Sequence, residues 1–180
     1  MRESTYSHTT SVDESRGIFD FDCSGFIDYA LSHAASDAFA TLLSSTVARP
    51  LAKHFEQFFA SIPDGGSIGR WHRVPRVAGL VPGDVIAWLE PADVVSSNTG
   101  HVLLVRGAPI AVSSDTYLVP ITDSTSTPHG SADSRGAGSN GLGTGTIQLI
   151  VDSSGAPIGY RWSEKSTKSE FTSVAFGHVE

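Results

Sequence analysis

The sequence predicts an α+β fold: N-terminal helices packed on a curved antiparallel β-sheet of five to six strands. Apolar residues recur at three- and four-residue spacing in the first third of the chain and then, from Gly83 onward, in the short runs typical of strands. Helices come early and strands late, an order that favours α+β over a repeated βαβ unit. With 180 residues, 39% of them hydrophobic, the chain reads as one globular domain with a substantial core.

The first helix follows Asp22, where Cys23, Phe26, Ile27, Ala30, Leu31 and Ala34 form one apolar stripe and Asp22 is suited to cap the helix start. A second runs from Ser36 through Phe39, Leu42 and Leu43. A third begins at Pro50 and carries Leu51, Phe55, Phe58, Phe59 and Ile62, until PDGG at 63–66 stops it. The strands read as DVIAWLE, HVLLVRG, TYLVPITDS, TIQLIVD, PIGYRWS and FTSVAFGHV, with DSSGAP at 152–157 as a hairpin loop. The Gly/Ser-rich stretch at about 124–146 is expected to be a loop. The basic segment GRWHRVPRV at 69–77 is expected to be solvated, with a lid or a carboxylate anchor as its functional reading.

Twelve basic against nineteen acidic side chains leave a net charge of −7, which disfavours nucleic acid and anionic membrane surfaces as partners. No apolar stretch is long enough to span a membrane, and the polar opening MRESTYSHTTSVDES gives no sign of a signal peptide. The one cysteine excludes an internal disulfide. GAGSNG at 136–141 fits a GxGxxG pattern, but a dinucleotide site needs a strand before it and a helix after it, and here a Ser-rich loop precedes and a strand follows. No HExxH or zinc-type cysteine and histidine spacing is present, so no metal or cofactor is expected.

That lone cysteine sits in FDFDCSGFIDY. In the first helical turn, unpaired backbone N–H groups and the positive end of the helix dipole favour thiolate over thiol. Gly25 removes a side chain from the same turn, leaving room for a substrate. The alternative is a small core hydrophobe, the commoner fate of a buried cysteine. A nucleophile needs a base, and the base an orienter. Of seven histidines, His101 opens the apolar strand GHVLLV, and the next strand ends in Asp123. His129, in a Gly/Ser-rich loop, competes for the orienting role; Asp123 is favoured because it belongs to a strand.

FDCSGFI, LVPGDVIAW and GHVLLV, in that order, resemble the NlpC/P60 family of papain-like cysteine peptidases and amidases. The resemblance implies the papain-like NlpC/P60 fold, Cys23 as nucleophile, His101 as base and a polar orienter on the following strand, here Asp123. It also implies that Tyr6 lines the oxyanion side and that Asp22 and Ser24 bind the free amine of a cell-wall peptide near a γ-D-glutamyl linkage. The usual Trp-Gly-Gly after the tyrosine is replaced by HTTSVDESRG, and residues 36–79 form a helical and basic insertion expected to reshape the cleft. The expected activity is amide hydrolysis on a small peptide or muropeptide. An acyltransferase or lipid-acting thiol enzyme, or an inactive wall-binding module, is the alternative. A secreted or periplasmic setting is implied by the family, with the cytoplasm left open.

Overall fold

The computed structural model describes residues 1–180. Its N-terminal strands β1 (Glu3–Tyr6), β2 (Ser11–Asp13) and β3 (Ile18–Phe21) form a small sheet in which β3 lies between parallel β1 and antiparallel β2. Three helices follow: α1 (Cys23–Ala34), α2 (Ser36–Ser45) and α3 (Ala52–Ser61). The remainder is strand: β4 (Ser67–Ile68), β5 (Trp71–Arg73), β6 (Val85–Leu89), β7 (Gly100–Val105), β8 (Ile110–Ala111), β9 (Thr116–Thr125), β10 (Gly141–Val151), β11 (Pro157–Arg161), β12 (Glu170–Phe171) and β13 (Val174–Val179). These ten make one antiparallel sheet ordered β12-β11-β10-β9-β7-β6-β13-β5-β4, with β8 paired to β9. The sheet curls so that β11 also approaches β13.

This architecture corrects the predicted fold. The molecule is mostly β, with a ten-stranded sheet in place of five to six strands and a separate three-stranded sheet, and it is not the papain-like arrangement expected. The reason lies in strand length. β4, β5, β8 and β12 are two or three residues each, too short to show a period of two. The N-terminal strands are exposed or half-buried along most of their length and carry little apolar pattern.

The three predicted helices form close to where their periodicity ends. Asp22 caps α1, its side chain accepting from Gly25 N at 2.8 Å. Before α3, the N-cap is Leu51 in place of a proline start, and its N–H donates to His54 Nδ1 at 2.9 Å. Both faces of the sheet are covered. Val85, Ala87, Val102 and Ala175 meet the helices around Phe21, Ile27, Leu42, Phe55 and Phe59. Their neighbours Ile86, Trp88, Leu103 and Phe176 turn to a second core with Val119, Ile121, Ile147 and Leu149 inside the curl. Burial on both faces explains the near-continuous apolar runs of β6 and β7.

Residues 36–79 are the other half of the helical layer. Phe55 and Phe59 are fully buried, and Phe58 almost so, in the core; at about 1.5–3 kcal/mol per buried side chain they stabilise it substantially. The basic segment is not a solvated loop: Trp71 is fully buried, donates from its indole to Ala38 O at 2.8 Å, and belongs to β5, paired with β13. The Gly/Ser stretch is shorter than expected, since β9 runs to Thr125 and β10 starts at Gly141.

Candidate active site

Cys23 is the first residue of α1 and is 7% exposed. The small sheet holds the helix start in place. Ser124 Oγ donates to Phe21 O at 2.7 Å, Leu142 N to Ser4 Oγ at 2.9 Å, and Tyr6 N to Asn140 Oδ1 at 2.9 Å, so the first 21 residues are tied to the ends of β9 and β10. Gly25 serves this packing: a Cβ there would sit 2.6 Å from Thr10 Oγ1. The glycine makes room for the N-terminal segment, where the sequence suggested room for a substrate.

His101 is the second residue of β7, opposite Trp88 of β6. Gly100 before it has φ +122°, and a Cβ would fall 1.8 Å from Trp88 O, so only glycine lets the strand enter at this point. Leu104 pairs with Thr122, which places Asp123 on the same face of the sheet as His101. There Asp123 Oδ2 accepts from His101 Nε2 at 2.6 Å. The Cys23 thiol lies close enough to the same ring to raise its pKa. The structure thus brings Cys23, His101 and Asp123 to one place.

His129, the residue weighed against Asp123, is also part of the site. Its Nε2 lies 3.0 Å from the same Oδ2, and its Nδ1 lies 2.6 Å from Trp162 O. The ring is thus held between a backbone carbonyl and the Asp123 carboxylate. On the other carboxylate oxygen, Arg135 Nη2 donates to Oδ1 at 2.8 Å, and the same guanidinium pairs with Asp133. Asp123 therefore holds two imidazoles and a guanidinium while fully buried. Sequence reasoning missed Arg135. The signal was there in GLGTG: a Cβ on Gly143 would lie 2.6 Å from Arg135 Nε and one on Gly145 2.8 Å from His129 Cβ. Alternate glycines on one strand face make the slot into which the 126–140 loop folds.

The electrostatics follow from these contacts. Burial works to lower the pKa of His101, but the facing thiol and Asp123 outweigh it and lift the value to about 10. Burial works to raise Asp123, and its two imidazole partners overcome this and hold it well below the usual carboxylate range. The phenol of Tyr6 is pushed up to about 12 by burial and by Cys23, Asp22 and Asp123, so it stays a donor at neutral pH. His101, Asp123 and His129 offer ligand atoms within 4.8 Å of one another, a spacing a divalent ion would accept, but the guanidinium of Arg135 already supplies positive charge to that carboxylate.

Tyr6, Asp22 and Ser24 all lie at the cleft beside Cys23, and with Leu51, Asn98 and Gly100 they line a narrow cavity of about 90 Å³. Asp22 is already engaged: it accepts from Gly25 N, Ser24 Oγ and Arg49 Nη2, the last at 2.9 Å, and it is 5% exposed. Burial would raise its pKa, but the Gly25 and Arg49 contacts keep it lowered. Ser24 spends its hydroxyl on Asp22. Of the three, Tyr6 alone also lines the larger adjoining cavity, about 320 Å³, bounded by Trp88, Glu90, His101, Tyr160 and Trp162. The aspartate of the PGD turn closes that turn, accepting from Val81 N at 2.9 Å and lying 2.6 Å from His178 Nδ1.

No family model matches this chain, and no solved structure does. A match among curated proteins is the "Uncharacterized protein R653" of Acanthamoeba polyphaga mimivirus, 34% identical over 116 residues, which take in 55% of this chain and 51% of the viral protein. The chain thus spans about half the length of that relative.

Proposed function

We propose that the protein is a thiol-dependent hydrolase of amide bonds in peptides, with Cys23 as nucleophile, His101 as general acid and base, and Asp123 orienting the imidazole. The observation that supports this reading is that Cys23, at the floor of a cleft, acts on the His101 imidazole, whose Nε2 is held at 2.6 Å by the buried Asp123 carboxylate. The thiolate attacks the carbonyl carbon, and the resulting oxyanion is held by free N–H groups at the start of α1 and by the Tyr6 phenol. Protonated His101 gives its proton to the leaving nitrogen as the C–N bond breaks and a thioester forms. The ring then takes a proton from water, whose oxygen displaces the sulfur and releases the acid. The resemblance of the DCSG, PGD and GHV motifs to NlpC/P60 enzymes suggests a cell-wall peptide as substrate. A lipid acyl site on the phenylalanine-rich helix has no support, because Phe55, Phe58 and Phe59 are core residues. The test is hydrolysis of peptide amides, including γ-D-glutamyl muropeptides, followed by amine release. Turnover lost in Cys23→Ala is the expected result, and an equally active Cys23→Ala protein would overturn the reading.

A further inference from the structure

The cavity beside His101 has a one-sided chemistry. Trp88, 1% exposed, forms its floor and stacks on Tyr160 with ring centroids 4.2 Å apart, and Trp162 and Tyr6 complete an aromatic wall. Glu90 is the only carboxylate among the lining residues, no lysine or arginine lines the space, and the one cationic group in the lining, His101, already has its counter-charge in Asp123 at 2.6 Å. Glu170, the other acid whose charge reaches Tyr160, is paired with Lys168 at 2.5 Å, whereas Glu90 forms no ion pair. An aromatic box with one free carboxylate recognises an organic cation. Ring faces attract positive charge, the apolar walls cover the alkyl stem, and the carboxylate supplies the counter-charge in a partly desolvated space.

We infer that this cavity, through Glu90 and the aromatic wall of Tyr6, Tyr160 and Trp162, binds an alkylammonium group. That the group belongs to the substrate, on one side of the scissile amide, rests on the hydrolase reading. Its position follows from the lining: His101 and Gly100 bound this cavity, and Tyr6, Asn98 and Gly100 bound both it and the narrow cavity at Cys23, so one extended ligand fills the two. The site is separate from Asp22, whose oxygens are already occupied. A cationic ligand also matches the acidic chain, at net charge −7.

Binding is read directly, because two of the three tryptophans, Trp88 and Trp162, line the cavity while Trp71 lies in the other core. The unmodified protein is titrated with n-butylammonium, n-butanol and butyrate, none of which has an amide to cleave. Quenching by n-butylammonium at concentrations at least tenfold below those needed for n-butanol, with none by butyrate, is the expected result, and Glu90→Gln should weaken the amine at least tenfold. Equal binding of the neutral or anionic analogue, or full affinity in Glu90→Gln, overturns the site; the analogue series alone decides if that variant fails to fold. On cleavable peptides, an aminoalkyl side chain should raise kcat/KM at least tenfold over its N-acetyl form, and Glu90→Gln should remove the preference through KM. Amine binding without any hydrolysis would sink the hydrolase reading and leave the site standing.

Discussion

His101 Nε2 and Asp123 Oδ2 lie 2.6 Å apart, and the same oxygen takes His129 Nε2 at 3.0 Å. The imidazole of His101 is fixed by a carboxylate that is itself clamped by a second imidazole and by Arg135, so its ring plane is set by the loop as well as by the strands.

Asp123→Asn should therefore lower amide turnover by about 10²-fold or more while Cys23 still alkylates, because a mis-oriented imidazole loses more in proton transfer than in thiolate formation. His129→Ala should cost less turnover, about tenfold, since His129 acts through Asp123. Steady-state kinetics and iodoacetamide labelling of both variants check the order; a larger loss in His129→Ala would make His129 the orienter.

The lifted pKa of His101 sets a pH signature. In the folded protein the ring should stay protonated through pH 8 and titrate only toward about 10, and Cys23→Ala should bring the midpoint down, because the thiol is the largest of the groups that raise it. The folded value lies above the ordinary 6.5, so the stability this interaction contributes is full below pH 6.5 and is lost as pH rises to about 10. Nitrogen-15 spectra of the imidazole across pH check this, and an unchanged midpoint in Cys23→Ala would refute the contact.

Asp28, on α1, behaves in the opposite sense. Burial and the nearby Asp22 raise its pKa to about 7 against the pull of Arg49, and Oδ1 is buried without a partner. A carboxyl whose folded pKa is raised costs nothing below its unfolded value of 3.8 and progressively more as pH climbs to 7. Asp28→Asn should raise the melting temperature at pH 8 and leave it nearly unchanged at pH 4. Thermal melts at the two pH values decide it, and an equal effect at both would be inconsistent with the burial of a charge.

Gly143→Ala tests the slot beneath the loop. The added methyl would press on the Cγ, Cδ and Nε of Arg135, which is held by Asp123, Asp133 and Gly141 O and so has little room to move. A loss of about 1–3 kcal/mol is expected from overpacking, together with a shift of the His101 resonances. Chemical denaturation gives the first and spectra the second; His101 signals unmoved by the substitution would mean that Arg135 does not brace the site.

What the sequence determined by itself is local. Asp22, the apolar stripe behind it and GHVLLV are decided by backbone capping and by residue period, so the helix start under Cys23, the strand under His101 and the pairing of His101 with Asp123 were legible without coordinates. Only the tertiary structure decided the rest. Arg135 and His129 reach Asp123 because a loop of mostly small, polar residues folds into a slot made by glycines, and no periodicity encodes a contact between a loop and the face of a distant strand. The ten-stranded extent of the sheet, the anchoring of the first 21 residues and the place of Trp71 in the core depend on strands of two to four residues, which are stable only as partners of longer ones. For the same reason Glu90 and Trp162, more than seventy residues apart in the chain, meet at one cavity only once the sheet has curled.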